Sequence, residues 1–572
     1  MTTLLSQSFP RTLDGLADLL PAAAPGASFE AWLFEDAGAR RAGEAALAAR
    51  GITVRIRSAY KPLLCAFREE VDADALVGAR IRYPRHPNAH PERFLLEAYP
   101  LKLLFADAEL VMEPGAEGLD YEVELRFADG RTEERRVFAP NRLHPGTLGE
   151  DVLSSCGWLR VAGEAGAAIA TDYEDIFATA VESVRSADPF ERLTLRADIA
   201  AADEPLGWGD EVLSLREALH EDLYFAAREV RDASTGAASG RLAARPGQVI
   251  PDIRGSDGPA RLEIATGTHA AEAGAETEGP AVTLASADRP PTIAQVRAEL
   301  DALPGGRRFT AASRQGRVSQ GYYKEGSGAP VLITAAQHAN ETSGVVGALR
   351  AAQVLAADPA AHFALVPVEN IDGYELHQRL IRHNPRHMHH AARYTACGND
   401  MSHRLEEPDD ERRARLEGLG LSGAELHINL HGYPAHEWTR PLSGYLPQGF
   451  EMWTIPKGFF LIGSHQPGWE ATARTLVERL TERLAENSAL VAHNARQLDA
   501  VRAHTAGITF EVMNGIPFFI NETTNYGTPV SLITEAPDET VYGEDFVLQQ
   551  TAQMQAVLGA VAIWQELKTG IG

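Results

Sequence analysis

Short apolar runs that are typical of strands alternate with apolar residues at helical spacing along most of the chain. Near the start, Ala31–Phe34 and Ile52–Arg57 are predicted strands, and Gly38–Arg50 between them is a predicted helix. A strand-rich stretch follows, and Asp129-Gly130 in it is a hairpin turn signal. Its predicted strands are Leu101–Phe105, Tyr121–Phe127 and Arg135–Phe138. This pattern indicates an α+β fold for the N-terminal part.

The second half of the chain has the pattern of an α/β domain. The apolar run Pro330–Ala336 predicts a buried strand, and Val345–Leu355 after it predicts a helix. Glu425–Tyr433 alternates like a strand, and the amphipathic stretch Phe546–Leu567 predicts a closing helix. The remaining predicted elements are a helix at Ile293–Leu303 and strands near Phe309, Val318 and Val331.

A change of composition divides the two halves. Between His269 and Pro291 the chain is rich in Ala, Glu, Gly, Thr and Pro and has no apolar periodicity, which is typical of a linker. We therefore predict an N-terminal α+β domain over 1–205, a small accessory region and linker over 206–290, and a C-terminal domain over 291–572.

Composition and charge exclude several partners. The 572-residue chain has a formal charge of −26, so it lacks the basic surface that phosphate contacts need, and we expect neither nucleic acid nor a membrane as a partner. Residues 1–30 show no export signal, and no apolar run reaches the roughly 20 residues that span a bilayer. The three cysteines form no Cys-x-x-Cys pair, which argues against disulfides and a thiolate zinc site. These features predict a cytoplasmic protein.

Candidate metal ligands stand where predicted strands end. His338 and Glu341 follow the strand Pro330–Ala336 at once, and His431 ends the strand Glu425–Tyr433. A catalytic zinc ion takes three protein ligands of this type and keeps one position open. The neighbouring histidines His427 and His436 are weaker alternatives for the third ligand.

A series of motifs in this half resembles the M14-type zinc metallocarboxypeptidases and their relatives, the succinylglutamate desuccinylases and aspartoacylases. In chain order the motifs are His338-Ala-Asn-Glu341, Asn370-Ile-Asp-Gly-Tyr374, Arg379-Leu-Ile-Arg382, Gly398-Asn-Asp-Met-Ser-His-Arg404, His431-Gly-Tyr433 and Gly527-Thr-Pro-Val-Ser-Leu-Ile-Thr-Glu535. The resemblance covers Pro291 to Leu567 and implies a carboxypeptidase-like domain with a mixed sheet between helices, α/β/α in class.

The resemblance also implies roles for single residues. Zinc would be bound by His338, Glu341 and His431. Glu535 would be the base that activates water, and Arg382 the cation that stabilises the developing oxyanion. The implied substrate-binding residues are His403, Arg404, Tyr433 and Tyr526.

Two departures from the family pattern affect these roles. The pair that grips the substrate carboxylate is offset by one, so either His403 or Arg404 is expected to do this. The acidic residue before the third ligand is replaced by Asn429, which removes a charge beside the ligand.

A second glutamate competes with Glu535 for the role of the base. Glu511 ends Gly507-Ile-Thr-Phe-Glu511 and by itself is the better match to the end of the family's catalytic strand. Glu535, however, lies on the last predicted strand before the closing helix, and we predict that it is the base.

The stretch Arg379–Arg393 is positively charged in a chain of negative net charge, since it holds arginines and histidines and no acidic residue. It predicts a substrate with more than one carboxylate. His220-Glu221 and the residues around Tyr224 are the other candidates for a site, and a structural role is favoured for them.

Together these features predict a zinc-dependent metallocarboxypeptidase, a protease whose substrate is a peptide or an acylated amino acid. One alternative is an N-acyl amino acid deacylase or amidase of the same fold. The other is a binding module whose metal site has decayed.

Overall fold

The structure is a computed structural model that describes residues 1–235, 247–269, 276–401, 410–446, 453–505, 507–525 and 527–570. The described elements fall into an N-terminal region that ends at Gly267 and a C-terminal region that begins near Thr277. No helix among these residues is both long and apolar enough to cross a membrane.

The N-terminal region mixes strands and helices, as the sequence predicts. Its strands are β1 (Thr2–Phe9), β2 (Ser28–Leu33), β3 (Thr53–Ser58), β4 (Leu76–Arg85), β5 (Glu109–Glu117), β6 (Asp120–Phe127), β7 (Thr132–Phe138), β8 (Asn141–Pro145), β9 (Asp151–Ser155), β10 (Gly157–Val161), β11 (Ala167–Ile169), β12 (Arg192–Ile199), β13 (Glu204–Pro205), β14 (Val212–Leu213), β15 (Gln248–Gly255) and β16 (Ala260–Gly267). Its helices are α1 (Leu16–Leu19), α2 (Ala37–Ala48), α3 (Pro62–Glu70), α4 (Arg93–Glu97), α5 (Leu101–Leu104), α6 (Asp172–Arg185) and α7 (Leu215–Thr235).

The C-terminal region alternates strands and helices. Its strands are β17 (Arg307–Ala312), β18 (Val318–Lys324), β19 (Val331–Ala335), β20 (Phe363–Val366), β21 (Leu426–Tyr433), β22 (Phe460–His465), β23 (Glu511–Met513), β24 (Ile516–Glu522) and β25 (Val530–Pro537). Its helices are α8 (Ile293–Ala302), α9 (Ser343–Ala357), α10 (Ile371–Leu380), α11 (His390–Arg393), α12 (Arg413–Ser422), α13 (Glu470–Leu484), α14 (Ser488–His504) and α15 (Glu544–Thr569).

Three small sheets and two hairpins build the N-terminal region. The sheet orders are β1-β16-β12-β15, β11-β10-β2-β3 and β5-β4-β6-β7. The first of these sheets joins strands from both predicted N-terminal segments, 1–205 and 206–290, because β12 pairs with β15 and β16. The predicted limits of the segments stay predictions.

One nine-stranded mixed sheet, in the order β17-β18-β20-β19-β21-β25-β22-β24-β23, forms the centre of the C-terminal region. This mixed α/β class is the class that the sequence predicts. The strands β19, β21 and β25 are mutually parallel and buried along their whole length. Helices α9, α13 and α15 share one apolar core on one face of the sheet. Since parallel strands end at the same edge, loops that follow the three strands meet at one place.

The side chains of β21 alternate between the two faces of this sheet. Leu426, Ile428 and Leu430 belong to the core under α9 and α15. By the period of two, His427, Asn429 and His431 point to the opposite face. Residue Glu535 lies directly opposite His431 in the register with β25.

One predicted strand is wrong. Leu101–Phe105 was expected to be extended, but Leu101–Leu104 forms α5, in which the N–H of Phe105 bonds to the carbonyl of Leu101 at 2.9 Å. Leu101 and Leu103 are both buried. An apolar run as short as this one shows no periodicity that separates a strand from a helix.

The described part of the predicted linker packs against the C-terminal region. Thr277 donates to Glu375 through its backbone N–H at 2.9 Å and its hydroxyl at 2.8 Å. Leu284 and Ala287 are buried in the core beneath α9. The low apolar content of this stretch therefore did not exclude ordered packing.

Candidate metal centre

Two of the predicted ligands lie in one tight turn between β19 and α9. Ala336, directly after the strand, has a φ of +48°, which turns the chain away from the sheet. The N–H of Glu341 then bonds to the carbonyl of His338 at 3.2 Å. Glu341 therefore stands two residues before the first residue of α9, and its side chain faces back towards His338.

His431 completes a group of three side chains. His338 Nδ1 is 2.8 Å from Glu341 Oε1, His431 Nδ1 is 2.9 Å from Glu341 Oε2, and the two Nδ1 atoms are 3.1 Å apart. Metal bonds of about 2.0–2.1 Å in tetrahedral geometry would separate the ligand atoms by about 3.3 Å. Within the described residues this is the one group of three His, Cys, Asp or Glu side chains with converging ligand atoms.

The charges in this group suit a metal ligand set. Burial works against ionisation of Glu341, but the charges of His338, His431 and Arg393 hold its pKa below the ordinary value. Burial lowers the pKa of His431 below its ordinary value, although Glu341 opposes this. A carboxylate and a neutral imidazole are the forms that bind metal. The pKa of His338 is raised, because Glu341 and Asp400 outweigh its burial and the charge of Arg393.

Two charged residues that the sequence analysis did not assign lie next to the ligands. Arg393 donates from Nη1 to Glu341 Oε1 at 2.5 Å, and the same nitrogen lies 3.7 Å from Glu539 Oε1. Asp400 Oδ1 is 3.5 Å from His338 Nε2. Asp400 belongs to the motif Gly398–Arg404, and Arg393 is the last residue of the basic stretch. The sequence analysis therefore identified both stretches but did not single out these two residues.

Of the two competing glutamates, Glu535 is the one next to the three candidate ligands. It is buried at the end of β25, paired in register with His431 on one side and with Phe460 of β22 on the other. Burial raises its pKa well above the ordinary value, and the nearby charge of Glu341 raises it further. Glu511 instead lies on β23, the edge strand, where it is exposed and pairs with Arg474 at 3.2 Å.

Arg382 lies away from the cluster. Helix α10 ends at Leu380, and the exposed guanidinium of Arg382 donates to the carbonyl of Glu278 at 3.4 Å. Among the described residues, no hydrogen bond or ion pair joins Arg382 to a candidate ligand or to Glu535. Its predicted role in oxyanion stabilisation has no support in this geometry, because the chain turns to the surface before Arg382 is reached.

The predicted substrate-binding residues divide into two groups. His403, Arg404 and Tyr526 lie outside the described residues. Tyr433 is buried, accepts a hydrogen bond from the N–H of Lys457 at 2.8 Å and donates to the carbonyl of Gly458 at 2.6 Å. Its hydroxyl therefore holds the turn that leads into β22.

An aromatic wall stands on the same face of the sheet as His431 and Glu535. Its members are Tyr433, Phe460, Ile462, Ile533, Trp453 and Phe519. Lys457 lies against this wall, with Nζ 5.8 Å from the centre of the Trp453 ring. Burial lowers the pKa of Lys457 to about 7, and the charge of Glu535 opposes the shift.

The weaker candidates for the third ligand have other partners. His427 lies inside the sheet with Nε2 2.8 Å from the hydroxyl of Thr334. His436 Nε2 is 2.6 Å from Glu217 of α7. Asn429, the uncharged residue before His431, donates to Gln337 at 3.0 Å.

The basic stretch Arg379–Arg393 is exposed only in part. His389 and His390 are buried, and burial lowers the pKa of His389 to about 3 and that of His390 well below its ordinary value. Arg386 pairs with Asp210 of the N-terminal region. Composition could not reveal this, because it does not report which side chains are buried.

Comparisons with known proteins give low similarity. No family model and no curated protein match this chain. A metallo-carboxypeptidase from Burkholderia cenocepacia is 12% identical, with a TM-score of 0.29, over 54% of this chain and 73% of its own. A metallo-carboxypeptidase from Pseudomonas aeruginosa, solved with (2-guanidinoethylmercapto)succinic acid, is 14% identical, with a TM-score of 0.30, over 55% of this chain and 77% of its own. Thrombin activatable fibrinolysis inhibitor is 10% identical, with a TM-score of 0.29, over 49% and 72%.

Proposed function

We propose that this chain is a zinc-dependent hydrolase that cleaves a peptide bond or a related amide next to a free carboxylate, as a metallocarboxypeptidase does. The observation that carries the proposal is the convergence of His338, Glu341 and His431: the Nδ1 atoms of the two histidines are 3.1 Å apart and lie 2.8 and 2.9 Å from the two carboxylate oxygens of Glu341. Two imidazoles and one carboxylate are a ligand set of catalytic zinc sites. When bound, zinc would polarise the substrate carbonyl and lower the pKa of water at the site.

Glu535 would be the residue that moves the proton. It stands directly opposite His431 in the strand register, and burial raises its pKa well above the ordinary value. A carboxylate with a raised pKa accepts a proton from an attacking water and returns it to the leaving amine. Glu511, exposed at the far edge of the sheet, has no access to this step.

Arg393 is the cation that we propose for the developing oxyanion, in preference to Arg382. Its guanidinium is largely buried, and one of its nitrogens lies 2.5 Å from Glu341 and 3.7 Å from Glu539. A fixed cation is worth most where water is excluded. Arg382, which is exposed and bonded to a backbone carbonyl, meets neither condition.

Lys457 is the described cation that best fits a substrate carboxylate. It is buried against the aromatic wall, and the charge of Glu535 opposes the lowering of its pKa. We propose that Lys457 acts with His403 or Arg404 to receive the free carboxylate, whether the substrate is a peptide or an acylated amino acid. The aromatic wall would then contact the side chain next to the scissile bond.

Metal content and substrate preference test the proposal together. Purified protein should carry about one zinc per chain, and a chelator should abolish hydrolysis until zinc is added back. The substrate panel contains short peptides, the same peptides with an amidated C-terminus, and N-acyl amino acids. We expect cleavage only of substrates with a free carboxylate.

The control variant is His362→Ala, since His362 contacts Tyr323 away from the cluster. It should keep zinc and activity, whereas His338→Ala should lose both. Activity that survives complete removal of metal would contradict the proposal.

A further inference from the structure

Arg393 belongs to a short element that the N-terminal region holds in place. Helix α11 is four residues long, which is too short to be stable without tertiary contacts. On the C-terminal side, Asn370 donates to the carbonyl of Tyr394 at 3.0 Å. The other contacts of the segment 384–398 come from both regions: α11 packs against α10 of the C-terminal region and against β15 and α7 of the N-terminal region.

Tyr224 of α7 stacks on His390, the first residue of α11, and on Tyr394, the residue after Arg393. Its ring centre is 5.2 Å from that of His390, with 19° between the planes, and 6.0 Å from that of Tyr394, with 3° between the planes. Tyr224 and His390 are fully or almost fully buried. The ring of Tyr224 therefore limits the positions that α11 can take.

Two carboxylates on the same face of α7 fix the chain before Arg393. Glu221 Oε2 is 2.7 Å from His390 Nδ1, and Glu217 Oε1 accepts the N–H of Met388 at 2.7 Å. Glu217, Glu221 and Tyr224 are spaced four and three residues apart, so they form one stripe along the helix.

Arg228 extends this stripe to the chain after Arg393. It is half-buried, donates to the carbonyl of Gly398 and lies 5.6 Å from the centre of the Tyr394 ring. Gly398 comes two residues before Asp400, which lies 3.5 Å from His338. The stripe therefore contacts both chain segments that bring charges to the candidate ligands.

We propose that α7 is the positioning element of the catalytic site and that Tyr224 is a positioning residue that acts through Arg393. The proposal rests on the hydrolase function above, and it gives the N-terminal region a role in that function. A displacement of about 1 Å in a group that stabilises a transition state can cost about 100-fold in rate. Substitution of the Tyr224 ring should release α11 and lower kcat without removal of the metal.

A double-mutant cycle in the full chain tests the route through Arg393. Tyr224→Leu should lower kcat by at least about 10-fold in the wild-type background but by less than about 2-fold when Arg393→Ala is already present. Zinc content should stay unchanged in all variants. Tyr224→Phe keeps the ring and loses only the hydroxyl that Arg228 contacts at 3.2 Å, so it should retain near-normal kcat.

Tyr121→Leu is the matched control. Tyr121 is an equally buried tyrosine of the N-terminal region, but its hydroxyl donates to the carbonyl of Phe94, away from α11. An equal loss of kcat from Tyr224→Leu in both backgrounds, or a loss no larger than that of Tyr121→Leu, would overturn the proposal.

Hydrogen exchange gives a measurement that does not depend on activity. Backbone amides of residues 388–398 should exchange faster in Tyr224→Leu than in the wild type, while Tyr121→Leu should leave them unchanged. Unchanged exchange in Tyr224→Leu would show that α7 does not hold α11. If the exchange rises but no variant hydrolyses any amide, the positioning contact stands and the proposed hydrolase function fails.

Discussion

Two regions of the molecule bury histidines next to carboxylates, and they differ in how the side chains are arranged. At the ends of β19 and β21, two imidazoles and one carboxylate point at a common centre, with all three separations at 3.1 Å or less. Along α7 and in the chain before it the partners form separate pairs, His436 with Glu217, His390 with Glu221 and His387 with Asp203. Convergence, rather than the number of histidines, distinguishes the candidate metal centre from a polar interface.

The largest test of this difference compares a histidine from each region. His338→Ala should lose zinc, because it removes one of three ligands, and turnover should fall below detection. His390→Ala should keep zinc, with affinity reduced by no more than the roughly 10- to 100-fold that a residue outside the ligand set can cost. Elemental analysis after dialysis against buffered zinc measures both. Equal zinc loss in the two variants would contradict the proposed difference in metal binding between the two regions.

The next largest effect separates the two glutamates. Glu535→Gln should lower kcat by about 10² to 10⁴-fold while zinc stays bound, because the amide cannot accept the proton. Glu511→Gln should stay within about 2-fold of the wild type, as expected for an exposed residue on an edge strand. The assignments must be exchanged if Glu511→Gln is inactive with zinc in place and Glu535→Gln is active.

A third comparison concerns two arginines of the basic stretch, Arg393 and Arg382. Arg393→Ala should reduce kcat by about 10² to 10³-fold, the usual cost of one group that stabilises an oxyanion. Arg382→Ala should change kcat little, since its side chain is exposed and bonded to a backbone carbonyl. Steady-state kinetics on one free-carboxylate peptide decides between them. A larger loss for Arg382→Ala would restore the role that the sequence predicts.

The smallest effect is on stability, at the pair of His436 and Glu217. Burial alone would lower the pKa of His436, but Glu217, with Glu211 and Asp210, raises it to about 9. Since the folded pKa lies above the unfolded value of 6.5, the stabilisation is complete below pH 6.5 and is lost as the pH rises through about 9.

This stabilisation amounts to about 3 kcal/mol for a shift of about 2.5 pKa units. Urea unfolding of the wild type and of Glu217→Gln should therefore differ most near pH 6 and converge above pH 9. A difference that does not change with pH would show that His436 is neutral in the folded protein.

The sequence predicts those parts of the site that follow from local pattern. His338 and Glu341 stand in the turn after the strongly apolar strand β19, and His431 stands near the end of β21, so the strand ends alone bring them to one edge of the sheet. Glu535 follows from its place on the last strand before the closing helix. The positions of these residues at the sheet edge need only the period of a strand and the order of the elements, whereas their roles come from the family resemblance.

Contacts between distant parts of the chain were beyond the same reasoning. Arg393 reaches Glu341 because α7, more than 150 residues earlier in the chain, holds α11, and no local pattern reports such a contact. The motif at Arg379–Arg382 predicted a residue at the site, but α10 ends at Leu380 and the chain turns to the surface. The basic stretch looked charged in composition, but His387, His389 and His390 in it are buried.

The pairing of β1 with β16 has a consequence for the order of events on the ribosome. Residues Thr2–Phe9 align with Ala260–Thr266, so the first strand waits for its partner until about 260 further residues have been synthesised. A domain generally folds as a unit, the earlier one first, as the chain emerges. Helix α7 lies inside this loop and is complete before α11 is made. The helix that packs against α11 is therefore synthesised before α11, and the nascent C-terminal region meets α7 when α7 is already complete.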